Sequence, residues 1–119
     1  MKIILDTNFL IDSIRFKINI ESELAGNELF VLDSILSEIE KVIERGTRES
    51  TLAKLALELV KRKNIKILKT NEKETDESLL SHSKQGYAIA THDRVLKNKL
   101  KKVGAKIIYV RQKKYLVID

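Results

Sequence analysis

The chain of 119 residues carries 23 Lys and Arg against 17 Asp and Glu, a net charge of +6, with 43% hydrophobic and 34% charged residues. That length suits one domain, residues 1–119, able to bury about two-thirds of its unfolded surface without covalent staples. There is no cysteine, which excludes disulfide frameworks, zinc–thiolate sites and thiol nucleophiles. The longest apolar stretches run four or five residues, far short of a membrane span. Met1-Lys2-Ile3 leads directly into a strand-like run, so no signal peptide and a cytoplasmic location are expected.

In chain order, Ile3–Leu5 reads as a first strand, and Asn8–Ile14 starts a helical connection that continues irregularly to about Gly26. Leu29–Leu32 is a second strand. Asp33 and Ser34 then offer cap oxygens to a helix near 35–45, whose apolar face is Ile35, Ile39, Val42 and Ile43. Gly46 stands where a C-terminal glycine ends a helix. A second helix, near 49–62, repeats Leu52, Leu55, Ala56 and Leu59 at helical spacing. Ile65–Leu68 is a third strand and 69–75 a polar loop, with Thr75 as N-cap of a helix over 76–85. Gly86 precedes a fourth strand, 87–91, followed by a helix near 93–103. Gly104 turns the chain into a fifth strand, Lys106–Val110, and Tyr115–Ile118 is a candidate short edge strand. Strands alternating with helices predict an α/β fold: a three-layer α/β/α sandwich around a mostly parallel, five-stranded central sheet.

The charge is uneven. Residues 94–118 hold nine basic side chains and no acid, whereas residues 1–93 hold 14 basic and 16 acidic ones. A basic block beginning just after Asp93 suits either a polyanion-binding surface or simply a solvated lysine-rich helix.

Four acids stand where strands hand over to helices or where helices open: Asp6, Glu38, Asp76 and Asp93. Singly, each has an ordinary explanation, as a helix cap, a first-turn acid or an exposed helical side chain. Together they fall at the sheet edge where α/β proteins bind ligands, beyond the strand ends at the reversal of strand order. The first and fourth strands, carrying Asp6 and Asp93, are the candidates to flank that reversal. Like charges gathered in a cleft raise one another's pKa, and a hard divalent cation relieves them; Mg²⁺ and Mn²⁺ are the usual ions for all-oxygen sites.

Other phosphate chemistries lack their residues. Only one acid follows the first strand, Asn8 stands where a phosphatase of the haloacid dehalogenase type needs a second aspartate, and no Gly-rich phosphate loop exists. There is no GxSxG elbow, and His82 and His92 have no nucleophile partner in the sequence. Metal-activated hydrolysis of phosphate esters remains.

Ile3-Ile4-Leu5-Asp6-Thr7-Asn8 resembles the opening strand and DTN motif of the PIN-domain nucleases. Glu38 in Ser37-Glu38-Ile39-Glu40 matches that family's second acid, and Asp76 in Thr75-Asp76-Glu77-Ser78 its third. Ala90-Thr91-His92-Asp93-Arg94-Val95-Leu96 resembles the segment bearing the fourth, with His92 where relatives often have Asn and Glu77 where they carry a second Asp. The likeness runs from residue 2 to the C-terminus. The tail, Lys106 to Ile118, looks like the archaeal and eukaryotic branch that processes ribosomal RNA, while the small VapC-type toxins share the acids but usually end differently.

The resemblance implies a metal-dependent endoribonuclease acting on single-stranded RNA. It assigns Asp6 and Asp93 as principal ligands of one or two Mg²⁺ or Mn²⁺ ions, Asp76 as a further ligand or a holder of coordinated waters, and Glu38 as the group orienting or deprotonating the attacking water. Asn8, Thr91 and His92 are expected behind the acids as hydrogen-bonding supports. Arg94, Lys97, Arg111, Lys113 and Lys114 are expected to carry the RNA. With three Phe and three Tyr, base stacking and sequence readout should be slight. Expected partners are single-stranded or structured RNA, including pre-rRNA or ribosomal particles, with an antitoxin or a second copy of the chain as further candidates, and no membrane. A VapC-type toxin and a non-catalytic RNA-binding assembly factor are the alternatives.

Overall fold

The protein is described from a computed structural model, covering residues 1–62, 65–70 and 74–119. The polar loop expected over 69–75 lies partly outside those described residues. Five strands run parallel, β1 (Lys2–Leu5), β2 (Glu28–Leu32), β3 (Lys66–Leu68), β4 (Ala88–Ala90) and β5 (Ile107–Arg111), and β6 (Tyr115–Ile118) joins β5 antiparallel. The order is β3-β2-β1-β4-β5-β6. The sheet therefore has six strands rather than five, because Tyr115–Ile118 pairs fully with β5, from Ile108–Ile118 to Arg111–Tyr115.

The helices are α1 (Thr7–Arg15), α2 (Ile20–Glu23), α3 (Asp33–Glu44), α4 (Arg48–Arg62), α5 (Thr75–Lys84) and α6 (Arg94–Lys102). The chain runs outward from β1 to β3, then crosses back to β4 and out to β6. With right-handed crossovers, α1, α3 and α4 cover one face and α5 and α6 the other. Central strands covered on both faces must be apolar at every position. Ile3, Ile4, Leu5, Val31, Leu32, Ile89, Ala90, Ile107 and Ile108 are accordingly buried, together with Phe9, Leu10, Ile35, Ile39, Leu79, Leu96 and Leu100 from the helices. Truncating a side chain such as the fully buried Phe9 costs about 3–5 kcal/mol in such a core.

β1 and β4 are hydrogen-bonded neighbours, with Leu5 opposite Ala90. The strand order reverses between them, as expected, so the residues that follow both strands open onto one crevice. Gly46, at φ 64°, turns the chain out of α3 and donates its N–H to Ile43 O at 3.3 Å. Thr75 is not an N-cap but the first residue of α5; its hydroxyl donates to Ser34 Oγ at 2.9 Å, tying α5 to the start of α3. Asp33 closes the same junction, accepting from Ser34 N–H at 2.8 Å and Thr70 N–H at 2.9 Å. These hydrogen bonds hold its carboxyl below the usual range, those of the Thr70 hydroxyl and N–H foremost.

Candidate active site

Asp6 ends β1 in extended backbone and caps α1: its Oδ1 accepts the Thr7 N–H at 2.9 Å. Its other oxygen, Oδ2, accepts the hydroxyl of the buried Thr91 at 2.8 Å. The same Thr91 oxygen accepts the N–H of Asp93 at 3.1 Å, so one side chain at the end of β4 fastens two of the acids. Asp93 caps α6, its Oδ1 accepting the Leu96 N–H at 3.0 Å. Thr7, buried on α1, donates its hydroxyl to Glu38 Oε2 at 2.6 Å, which draws α3 onto the first acid. Asp76 comes from the first turn of α5.

Asp6, Glu38, Asp76 and Asp93, from four separate segments, line a single cleft of about 300 Å³ together with Thr7, Asn8, Lys41, Val42 and Arg45. A recess of similar size, about 320 Å³, lies at the amino ends of β2 and β3. It contains the Glu28–Lys66 ion pair at 3.1 Å but no comparable gathering of acids.

Burial pushes the Asp6 carboxyl up to about 6, with Glu38 and Asp76 adding repulsion that its hydrogen bonds from Thr91 and Thr7 only partly offset. Asp76 is also raised, chiefly by burial and then by Asp93, while Lys99 pulls the other way. Crowded, all-oxygen and mutually repelling, this donor set fits a hard divalent cation in type and charge. Among the described residues no three acidic or histidine side chains yet converge on one ligating point.

His92 lies beside the cleft rather than in it, lining an adjacent groove. Its Nε2 accepts the Val110 N–H at 3.0 Å, which leaves the proton on Nδ1, donated to Asp12 Oδ2 at 2.7 Å. It therefore staples the loop after β4 to α1 and β5. Asn8 is exposed at the cleft wall, and Glu77 is exposed outside the lining.

None of Arg94, Lys97, Arg111, Lys113 and Lys114 lines the cleft. Lys97 covers the Tyr109 ring at 4.5 Å and Lys113 the Phe16 ring at 5.8 Å. The cations in the cleft wall are instead Lys41 and Arg45, which no motif in the sequence singles out. Lys41 lies three residues beyond Glu38 on α3, and Arg45, seven beyond it, is the cap residue just past the helix end; steps of three and four keep to one helix face. Thr7 carries no separate signal either, although it sits inside the motif that marks Asp6.

A model described as a PIN-like domain matches residues 3–113. The chain belongs to the PIN-like domain family. Ribonuclease VapC4 of Methanocaldococcus jannaschii is 35% identical over 125 residues, covering 98% of this chain and 95% of that protein. The PIN domain endonuclease Utp24 superposes with a TM-score of 0.81 at 25% identity, covering 99% of this chain and 90% of that one. A domain of a functionally unknown protein from Methanocaldococcus jannaschii shares the PIN-like fold at a TM-score of 0.67 and 20% identity, covering 92% and 91%. Among the described residues, no helix is long and apolar enough to cross a membrane.

Proposed function

We propose that this PIN-like chain is a metal-dependent endoribonuclease that hydrolyses phosphodiester bonds in single-stranded RNA, in the processing of rRNA or other transcripts. The observation that carries this reading is the meeting of Asp6, Glu38, Asp76 and Asp93, from four separated segments, around one cleft at the carboxyl ends of β1 and β4. The likeness to proteins named ribonuclease and endonuclease supports the choice of reaction. One or two Mg²⁺ or Mn²⁺ ions would supply Lewis acidity for water activation and for the charge on the leaving oxygen.

Asp6 and Asp93 would be the principal ligands, with Asp76, on the α5 side, a further ligand or a holder of coordinated waters. Thr91 sets the spacing of the first two by donating to Asp6 Oδ2 and accepting from the Asp93 backbone. Leu96 N–H bonds Asp93 Oδ1, as Thr7 N–H and the Thr91 hydroxyl bond the two oxygens of Asp6. Each carboxylate oxygen has a second lone pair, so both acids can still take an ion. Glu38 orients the attacking water and accepts its proton. The Thr7 hydroxyl fixes Oε2, which leaves Oε1 for that water. Asn8, at the wall of the cleft, is suited to hydrogen-bond the incoming strand. Arg94, Lys97, Arg111, Lys113 and Lys114 are outlying phosphate contacts that act by steering the polyanion, an effect that weakens with salt.

A second reading has one observation behind it: the relative that is 35% identical is named VapC4, so a toxin cutting RNA until an antitoxin covers it uses the same site. Growth arrest on expression, relieved by a small protein encoded beside it, would select that role.

The chemistry is tested by incubating purified protein with single-stranded RNA and Mn²⁺. Cutting should require the ion, stop with chelator, and be abolished in Asp6→Asn and Asp93→Asn proteins that retain their melting transitions. Cutting that survives both substitutions refutes the mechanism. Salt-sensitive RNA binding without cleavage of any RNA would leave a binding role only.

A further inference from the structure

A second groove of about 460 Å³ adjoins the acidic cleft, and the two share Asn8, Val42 and Arg45 in their walls. Its volume falls within the roughly 300–1,000 Å³ typical of pockets that take small organic ligands. The groove runs between α1, which supplies Ile11, and the turn joining α3 to α4, which supplies Thr47. Its acids are already committed. Asp12 accepts from Arg15 at 2.5 Å and from His92 at 2.7 Å, and Glu49 is paired with Arg15. Arg45 forms no ion pair among the described residues. The seam between groove and cleft therefore carries an uncommitted guanidinium beside the half-buried apolar side chain of Val42.

We propose that this groove binds one nucleotide of the RNA strand next to the bond being cut. Arg45 holds the phosphate shared between groove and cleft, and the sugar or base packs on the half-buried Val42. Resting on the ribonuclease reading of the cleft, this deepens it by giving the strand a path. The nucleotide next to the acids lies over the end of α3, while the basic side chains of α6 attract the polyanion from farther out. A planar guanidinium suits a phosphodiester because its N–H groups present a fixed fork. Asn8, at the same seam, adds an amide that both donates and accepts.

The competing explanation of Arg45 is purely local. A basic residue at a helix C-terminus offsets the negative end of the helix dipole. That role would show in the melting curve and not in RNA affinity.

The test measures binding of a fluorescein-labelled single-stranded oligoribonucleotide of about 12 nucleotides, by anisotropy over a salt series. It uses the Asp6→Asn protein, so that the RNA is not cut. Adding Arg45→Gln should weaken binding about tenfold and lower the salt slope by about one, as expected for one lost phosphate contact. Arg45→Lys should recover part of the affinity, and Lys101→Gln on α6 should leave it unchanged. In the cleaving protein, Arg45→Gln should raise KM with little effect on kcat.

Unchanged affinity in Arg45→Gln, with weakened affinity in Lys113→Gln or Lys114→Gln, would overturn the groove. If the wild type also cuts RNA, the nuclease reading stands without it. Conversely, Arg45-dependent binding by a protein that cuts no RNA would uphold the groove and refute the nuclease reading.

Discussion

Thr91 Oγ1 lies 2.8 Å from Asp6 Oδ2, joining the ends of β4 and β1 across 85 residues of sequence. Because that oxygen also accepts the Asp93 N–H, the hydroxyl sets the spacing of two acids at once. Thr91→Val keeps the shape, removes the donor and leaves a partly buried carboxylate short of a partner. Losing such a bond costs about 1–3 kcal/mol. The variant should melt several degrees lower and titrate Asp6 at higher pH than the parent. Calorimetry and carboxyl-selective NMR titration measure the two. An unchanged melting point would show that the hydroxyl does not support the carboxylate.

Asp6 gives the protein a pH dependence with a definite sign. Its folded pKa, about 6, stands above the unfolded value of about 3.9. The folded state therefore holds the proton more tightly, and this contribution to stability is complete below about pH 4. It is lost as pH rises through about 6. Without divalent ions, the stability due to this group should decline across that window. Mn²⁺, which competes with the proton, should stabilise strongly at pH 7.5 and little at pH 5. Thermal melts at the two pH values, with and without Mn²⁺, check both halves; equal stabilisation at both would show that Asp6 does not hold the ion.

The same reasoning makes Asp6→Asn a stabilising change in ion-free buffer. At neutral pH the wild-type carboxylate is ionised against the preference of its surroundings, whereas a neutral amide relieves the repulsion from Glu38 and Asp76. Its oxygen still accepts one of the two hydrogen bonds. The expected gain is about 1–2 kcal/mol, together with complete loss of cutting. A large drop in melting temperature would instead make Asp6 a structural cap.

Thr7→Val separates holding from binding. The hydroxyl grips Glu38 Oε2 at 2.6 Å, so without it Glu38 samples rotamers that do not face the water. Cleavage should fall about tenfold to a hundredfold through kcat, with KM little changed, as for a misplaced general base. Thr7→Ser should restore most of the rate. A change confined to KM would remove Glu38 from the proton-transfer step.

His92→Asn tests whether the histidine is a staple or a participant. Both ring nitrogens are engaged, by the Val110 N–H and by Asp12, so the substitution disturbs the junction of α1 with β5. It should cost about 1–3 kcal/mol of stability. Cutting by the folded fraction should persist, and a hundredfold loss of rate at unchanged stability would place His92 in the chemistry.

Much of this is legible in the residues because parallel strands advertise themselves. Ile3-Ile4-Leu5 and Ala88-Ile89-Ala90 are continuously apolar as doubly covered strands must be, and an acid soon after each marks the crevice. The sixth strand is only suggested, because its hairpin lacks the usual Asn-Gly signal. The turn places Gln112 and Lys113 at φ 54° and 56°, with the Lys114 N–H donated to Arg111 O at 3.1 Å. Non-glycine residues seldom adopt that region. Basic residues near Asp93 in sequence suggest a binding surface there, but sequence proximity does not report facing. Lys41 and Arg45 reach the cleft only because α3 packs with Glu38 turned inward. Thr91 is expected as a support from the motif that carries Asp93, but its contact across 85 residues with Asp6, and that of Thr7 across 31 with Glu38, are specified by no local pattern.

A crystal soaked in Mn²⁺ at neutral pH shows most directly whether these acids form one ion-binding centre. Anomalous difference density should appear between the carboxylates of Asp6 and Asp93, with Asp76 and Glu38 drawn toward it. A cleft without such density, or manganese bound only elsewhere on the surface, would contradict the metal-dependent mechanism.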